Sequence, residues 1–465
     1  MHFVSTRGKV KNAGFIETFL MGLGDDGGLM VPDAIPSISA DTLKTWEKLS
    51  FQELMLEIFG LFTNGEIPRE DLKTIINDSY ATFRHPEVTP VKKLENSLYV
   101  LELFHGPTFA FKDIALQLMG NLYAYVSKTR GEIIHILGAT SGDTGASAIA
   151  GVRGKEGIRI CILHPHGKVS KVQELQMTTV NDQNVLNLSV EGNFDDCQRI
   201  IKEMFSDLEL KGKYHLRAIN SINFVRILAQ TVYYFYAYFR TVGADSGKTV
   251  SFSVPTGNFG DIFAGYLAKK MGLPVGRLII ATNENNILAR FVNEGIYEPG
   301  AFRTTYSPSM DIQIASNFER YLYYMYKESP ETVRFLMTAF QKEGAIRVSG
   351  KDLEQAQEDF AAYGVGGSEC LDTIRGAWEK YAYLLDPHTA CGVAAYEAVG
   401  KGSGDEVCVA LATAHPAKFD ESVRLCGIEQ SFPPEIAELF EKPQHQKLVE
   451  HSYDRVLEEI EAFLK

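Results

Sequence analysis

The chain contains no run of about 18 consecutive apolar residues, the length a membrane-crossing helix requires, and no leader-sized apolar block near its start. Cysteine is scarce. Cys161, Cys197, Cys370, Cys391, Cys408 and Cys426 form no C-x-x-C pair, and several lie inside apolar runs such as Ile160-Cys161-Ile162. They read as small buried hydrophobes of a reducing compartment, neither disulfides nor zinc ligands. Metal-binding histidine spacing is also missing. His164 and His166 are close in sequence, but without a helical i, i+4 spacing or an acidic neighbour, so no metal is expected. Basic residues are outnumbered, 46 against 59, for a net charge of −13. That balance excludes nucleic acid and anionic membrane surfaces as general partners. There is no internal repeat and no low-complexity tract. The first acid after Arg7, Lys9 and Lys11 is Glu17. A transit peptide shares that bias, but motif-like sequence begins by Ser5, so the cytoplasm is the expected location.

What is present is ordinary globular composition over 465 residues, 45% hydrophobic and 23% charged, enough for two or three domains. Residues 1–95 read as a mainly helical module, with helical spacing over 16–24, 50–62 and 69–83. From about 96 the pattern alternates. Short apolar strands are predicted over 98–103, 133–137, 158–163, 185–190, 250–254, 278–281 and 407–411, with helix-length segments between many of them. Near-continuous β-branched runs separated by helices indicate an α/β protein with mainly parallel sheets covered on both faces. The catalytic α/β region is expected over 96–465 as two interwoven domains, the smaller at roughly 130–215. An amphipathic helix is predicted over 446–465, with Leu448, Tyr453, Val456, Ile460 and Phe463 on its apolar side. Such sheets bind ligands at the carboxyl ends of their strands, so the loops there carry the functional reading.

His105-Gly-Pro-Thr-Phe-Ala-Phe-Lys-Asp113 sets one lysine, Lys112, among Phe104, Phe109 and Phe111, just before a predicted helix over 114–126. Dehydration against aromatic carbon and the positive end of a helix both disfavour an ammonium. An amine so placed can attack a carbonyl and form an imine. Locally, a surface lysine with a packed stem reads the same. The loop Gly138-Ala-Thr-Ser-Gly-Asp-Thr-Gly145 follows a strand and opens a small-residue helix, a geometry that receives anions, although a turn capped by Asp143 has the same pattern. Pro255-Thr-Gly-Asn-Phe-Gly-Asp261 offers the successive amides of Gly257, Asn258, Phe259 and Gly260, suited to a phosphate monoester, with a capped turn as the plainer alternative. Thr413 is a hydroxyl at the end of the 407–411 strand. Gly247-Lys248-Thr249 imitates the end of a P-loop, but the required leading glycine is Val242 and the segment precedes a strand.

A lysine that forms an imine, an amide cradle for phosphate and a polar group for a ring nitrogen are together the requirements of pyridoxal 5'-phosphate. With these loops stand Ser5-Thr-Arg-Gly8, Asp26-Gly-Gly-Leu-Met-Val-Pro32, Gly167-Lys-Val-Ser170, Asn220-Ser-Ile-Asn-Phe-Val-Arg-Ile-Leu-Ala-Gln230, Asp386-Pro-His-Thr389 and Thr413-Ala-His-Pro-Ala-Lys-Phe419. Over nearly its whole length the chain resembles the threonine synthase family, in the longer form found in many bacteria and fungi. The resemblance implies the tryptophan synthase β type of α/β architecture, fold type II of the pyridoxal phosphate enzymes. It implies that O-phospho-L-homoserine and water become L-threonine and phosphate, the last step of threonine biosynthesis, in a lyase reaction. It implies that Lys112 carries the imine to the cofactor and takes the substrate Cα proton, that Gly257, Asn258, Phe259, Gly260 and Asp261 hold the cofactor phosphate region, and that Thr413 meets the pyridine nitrogen. Ser141, Gly142, Asp143 and Thr144 would face the substrate carboxylate and the cofactor ring oxygen. Lys168, Lys171 and Arg226 are candidates for the substrate phosphate, with solvated or helix-surface charge as the plainer reading. Monomer and homodimer both remain open. Two other readings remain as well: a related pyridoxal phosphate lyase or dehydratase, and a non-catalytic protein that binds the cofactor.

Overall fold

The structure is a computed structural model that describes residues 1–400 and 406–465. Four helices lead the chain: α1 (Phe15–Met21), α2 (Ala40–Trp46), α3 (Phe51–Thr63) and α4 (Arg69–Tyr80). Their starts follow local chemistry. Ser39 caps α2, and Ser50 with Glu53 forms a reciprocal capping box on α3. Short antiparallel strands, Phe3–Ser5 and Met30–Pro32, pair beside them.

Eleven further strands carry the α/β region: β1 (Val91–Lys93), β2 (Leu98–Glu102), β3 (Ile134–Ala139), β4 (Ile158–Pro165), β5 (Val185–Glu191), β6 (Leu216–Ala218), β7 (Val250–Pro255), β8 (Val275–Thr282), β9 (Phe360–Gly364), β10 (Val407–Ala412) and β11 (Lys447–Glu450). They form two sheets, ordered β9-β8-β7-β10-β2-β1 and β11-β5-β4-β3-β6. Every pairing in both is parallel except β1 with β2. All seven strands expected from apolar runs are present. The short β1, β6, β9 and β11 lacked that signal, because an edge strand exposes one side and needs no continuous apolar run.

The described residues divide into two compact units. The smaller comprises residues 74–84, 106–220 and 431–465, and contains the five-stranded sheet. Its helices include α5 (Lys112–Arg130), α6 (Asp143–Val152), α7 (Lys171–Thr178) and α8 (Phe194–Ser206). Leu137, Leu163, Leu188 and Val190 from the strands pack with Ile200 and Met204 of α8. Val456, Ile460 and Leu464 of the C-terminal helix join the same cluster. That helix covers only Tyr453–Leu464, which corrects the expected span of 446–465. Residues Lys447–Glu450 instead extend the sheet alongside β5. Leu448, placed on the helix's apolar side by its spacing, is 52% exposed.

The larger unit comprises residues 1–73, 85–105 and 221–430, and contains the six-stranded sheet. Helix α9 (Phe224–Thr241) is buried along almost its whole length, as its apolar circumference demands. It packs on α10 (Gly260–Lys270). On the sheet, Leu98, Ile279, Cys408 and Ala410 pack with Ile374 of α11 (Gly367–Tyr381) and with Ala390 and Val393 of α12 (Pro387–Ala395). All nine residues of α12 are buried.

Candidate active site

In the smaller unit, Lys112 is the first residue of α5, as its motif suggested. Three interactions shape the preceding loop. The buried Asp113 carboxylate accepts from the Thr108 amide (2.7 Å), the Thr108 hydroxyl (2.7 Å) and Ser147 Oγ (2.6 Å). A Cβ on Gly106 would stand 2.4 Å from that of Asp113, so the turn closes only with glycine there. Phe109 adopts a left-handed φ of 59° and lays its ring 3.6 Å from the Arg84 guanidinium carbon. The Phe111 ring centre is 5.5 Å from the Lys112 amine.

The lysine is not a lone dehydrated amine. Its side chain is 11% exposed, and Nζ lies 3.3 Å from Oδ2 of Asp143, itself 4% exposed. Asp143 begins α6, and its other oxygen accepts from Gln173 Nε2 of α7 at 2.8 Å. Asp143 is not the N-cap, which is Gly142. Thr140 Oγ1 takes the capping role, accepting from the amides of Gly142 and Gly145 at 3.0 and 2.9 Å. Gly142 has a φ of 145°, and a Cβ there would meet Gln173 Oε1 at 2.4 Å. Ser141 is exposed and Thr144 half-buried, and neither hydroxyl has a hydrogen-bond partner among the described residues. Lys168 is exposed in the turn after β4, and Lys171 pairs with Glu174 at 3.0 Å.

In the larger unit, the loop after β7 leads into α10. Gly260 N–H donates to Asn258 Oδ1 at 3.0 Å. The amides of Gly257, Asn258 and Phe259 donate to no acceptor among the described residues. Phe259 holds a left-handed φ of 68° immediately ahead of the helix. Asn317 fixes this loop from outside, its amide and Nδ2 donating to Asn258 O at 3.0 and 3.1 Å. Asp261 directs its carboxylate elsewhere, accepting from the hydroxyls of Tyr233 (2.5 Å) and Tyr234 (2.8 Å) on α9. Burial raises its pKa to about 6. Arg226 is buried in the first turn of α9, and burial lowers its pKa to about 10. Thr413 follows β10, 5% exposed, and its hydroxyl has no hydrogen-bond partner among the described residues.

These features fit pyridoxal phosphate. Three backbone donors in a row ahead of a helix suit a dianionic ester, a sequestered hydroxyl suits a neutral ring nitrogen, and a sheltered amine suits an aldehyde. Sequence reasoning did not find Gln173, Thr140, Asn317 or the two tyrosines. Gln173, Asn317 and the tyrosines act on residues 27 to 59 positions away, whereas Thr140 lies inside the 138–145 loop, where the more polar Ser141, Asp143 and Thr144 drew the reading. Among the described residues, no group of three or more His, Cys, Asp or Glu is arranged to hold a metal ion.

Three family models match this chain. "Threonine synthase N terminus" covers residues 2–80, "Pyridoxal-phosphate dependent enzyme" covers 83–414, and "Threonine synthase, C-terminal" covers 389–462. Threonine synthase of Schizosaccharomyces pombe is 45% identical over 91% of this chain and 88% of its own length. That of Pseudomonas aeruginosa is 44% identical over 96% and 94%. The crystal structure of pyridoxal phosphate-bound threonine synthase from Brucella melitensis superposes with a TM-score of 0.96 and 44% identity, covering 100% of both chains.

Proposed function

The chain belongs to the threonine synthase family, and we propose that Lys112, the amides at 257–259 and Thr413 serve its cofactor, pyridoxal 5'-phosphate. It is a lyase that converts O-phospho-L-homoserine and water to L-threonine and phosphate. The bound cofactor supplies an aldehyde for imine formation and an electron sink for carbanion chemistry. The rest of the work falls to the chain. Lys112 Nζ joins the cofactor and moves the proton at substrate Cα. Asp143 Oδ2, 3.3 Å away, holds the ammonium that results, and Gln173 keeps that carboxylate in place. The N–H groups of Gly257, Asn258 and Phe259 bind the cofactor phosphate, with Gly260 and Asp261 contributing through the helix terminus they begin. Thr413 offers a neutral hydroxyl to the ring nitrogen. Unlike a carboxylate, it does not stabilise a protonated ring. Ser141, Gly142, Asp143 and Thr144 form the loop for the substrate carboxylate. Lys168, Lys171 and Arg226 are the cations offered to the substrate phosphate.

The observation that carries this assignment is the run of three amides at 257–259 with no acceptor among the described residues, in a chain matched by threonine synthase models on both sides of its cofactor region. The organisation follows the same reading: a helical N-terminal module over 1–95, then a catalytic region over 96–465 with its smaller domain near 130–215. The matched segments meet at 80 and 83, ahead of that boundary, and the smaller compact unit is wider than 130–215, drawing on 74–84, 106–220 and 431–465. A cytoplasmic location is supported by six buried, unpaired thiols, and the chain acts as a monomer or homodimer without nucleic-acid or membrane partners. Among the described residues, no helix is long and apolar enough to cross a membrane.

The test is direct. Purified protein should be yellow and release phosphate from O-phosphohomoserine. Ammonia release in place of phosphate would favour a dehydratase, and colour without turnover would favour a binding protein. Lys112→Ala should lose the visible band of lysine-linked cofactor and turnover together. Retention of that band would refute the lysine assignment.

A further inference from the structure

Asp386-Pro-His-Thr389 is a motif without a task in the chemistry above. It opens α12, with Asp386 as N-cap. Asp386 Oδ1 accepts from both the amide (2.9 Å) and Nδ1 (2.8 Å) of His388, and Oδ2 accepts from the amide and hydroxyl of Thr389. Asp386 is 1% exposed and His388 3%. The far ring nitrogen, Nε2, accepts the Ser309 N–H at 3.2 Å. A nitrogen that accepts a backbone N–H carries no proton, so the network assigns the hydrogen to Nδ1 and leaves the imidazole neutral. Phe419 closes over the ring, 4.7 Å between centroids.

Ser309 lies in the short helical turn Pro308–Met310, and its position matters to Gly257. A Cβ on Gly257 would stand 2.9 Å from Ser309 O and 3.3 Å from Met310 Cα. Two stretches of backbone thus touch where the phosphate loop begins. Asn317 holds the other side of the same loop.

We propose that Asp386 and His388 are a positioning couple for the cofactor phosphate: through the Ser309 amide they set the backbone wall against Gly257, and so the spacing of the amides that follow it. The inference rests on the reading of 257–259 as the phosphate site. It assigns to His388 no contact with cofactor or substrate.

The experiment compares His388→Asn with His388→Gln in the full-length protein, stripped of cofactor and re-titrated. Asparagine can reproduce the Nδ1 donor to Asp386 but not the acceptor for Ser309, whereas glutamine can place an oxygen near the Nε2 position. Affinity for pyridoxal phosphate should fall by about ten-fold or more in His388→Asn, the cost of one lost buried hydrogen bond, and largely recover in His388→Gln. Affinity for pyridoxal, which lacks the phosphate, should stay within about three-fold of wild type in both. An equal loss for both ligands means that His388 merely supports α12, and overturns the couple. If His388→Asn does not fold, Asp386→Asn in the same two titrations gives the answer. Gly257→Ala separates the two levels of the argument. If it weakens pyridoxal phosphate binding while His388→Asn does not, the couple fails and the loop assignment stands. If Gly257→Ala leaves that binding unchanged, the loop assignment itself fails.

Discussion

Asp143 and Asp261 are both buried carboxylates near the start of a helix, yet their neighbours give them opposite tasks. Asp143 meets the Lys112 amine and a side-chain amide. Asp261 meets two phenols and, among the described residues, no cation close enough to hydrogen-bond. Burial raises its pKa from 3.8 to about 6, outweighing the two tyrosine hydroxyls that pull it down. The native chain therefore retains a proton there that the unfolded chain releases, and this site's contribution to stability falls as pH rises from about 4 to about 6. The full shift corresponds to about 3 kcal/mol. Asp261→Asn removes the titration, so the variant should gain on wild type by up to about 3 kcal/mol between pH 4 and pH 7 in urea unfolding. A difference that stays constant across that range would show that Asp261 does not titrate there. Lys112 was legible in the sequence because its signal is contiguous: a turn, aromatics and a helix start within nine residues. Asp143 was legible only as a member of a loop, since its partner is 31 residues away.

At the scale of elements, α5 and α6 bring Lys112 and Asp143 together, and two glycines decide how closely. A Cβ on Gly120 of α5 would stand 2.0 Å from the Gly151 carbonyl oxygen, and one on Gly151 would stand 2.5 Å from the Leu116 carbonyl oxygen. The helix backbones are in direct contact. Alanine ordinarily stabilises a helix interior over glycine by about 0.5–1 kcal/mol. Here the sign should reverse, because backbone cannot step aside as a side chain can. Gly120→Ala should cost about 1–3 kcal/mol or more in denaturant unfolding and lower turnover by spreading the ion pair. A stabilised variant would show that the helices slide apart without cost. Neither glycine stood out in the sequence, where a glycine inside a helix is only a weakness. The C-terminal segment erred in the other direction. Its apolar spacing suggested one helix over 446–465, but Ser452 stands at the N-cap position of the observed helix and Lys447–Glu450 pair with β5. A four-residue edge strand with one buried side chain has too little alternation to be read.

The whole molecule is assembled from segments that return. The smaller compact unit draws on residues 74–84, 106–220 and 431–465, and its last piece supplies both a sheet edge and core side chains. Removing residues 446–465 would strip Val449, Val456, Ile460 and Leu464 from that core and uncover β5 as an open edge. Each lost side chain is worth about 1.5–3 kcal/mol, so together they approach the stability of an ordinary domain. The shortened chain should be insoluble or melt well below the intact protein in calorimetry. A soluble form with unchanged melting would show that the last segment only decorates the unit.

The sequence by itself determined the class of architecture, the seven apolar strands and the family, and it singled out Lys112 and the 257–260 loop as the site we propose. These depend on residues adjacent in the chain, where periodicity and motif act directly. Tertiary structure alone decided that Lys112 is paired with Asp143, that Asp261 turns to tyrosines, that two glycines let α5 and α6 touch, and that Asp386 and His388 support the wall beside Gly257. Those are contacts between residues tens of positions apart, and their energies exist only once folding has removed the water between them.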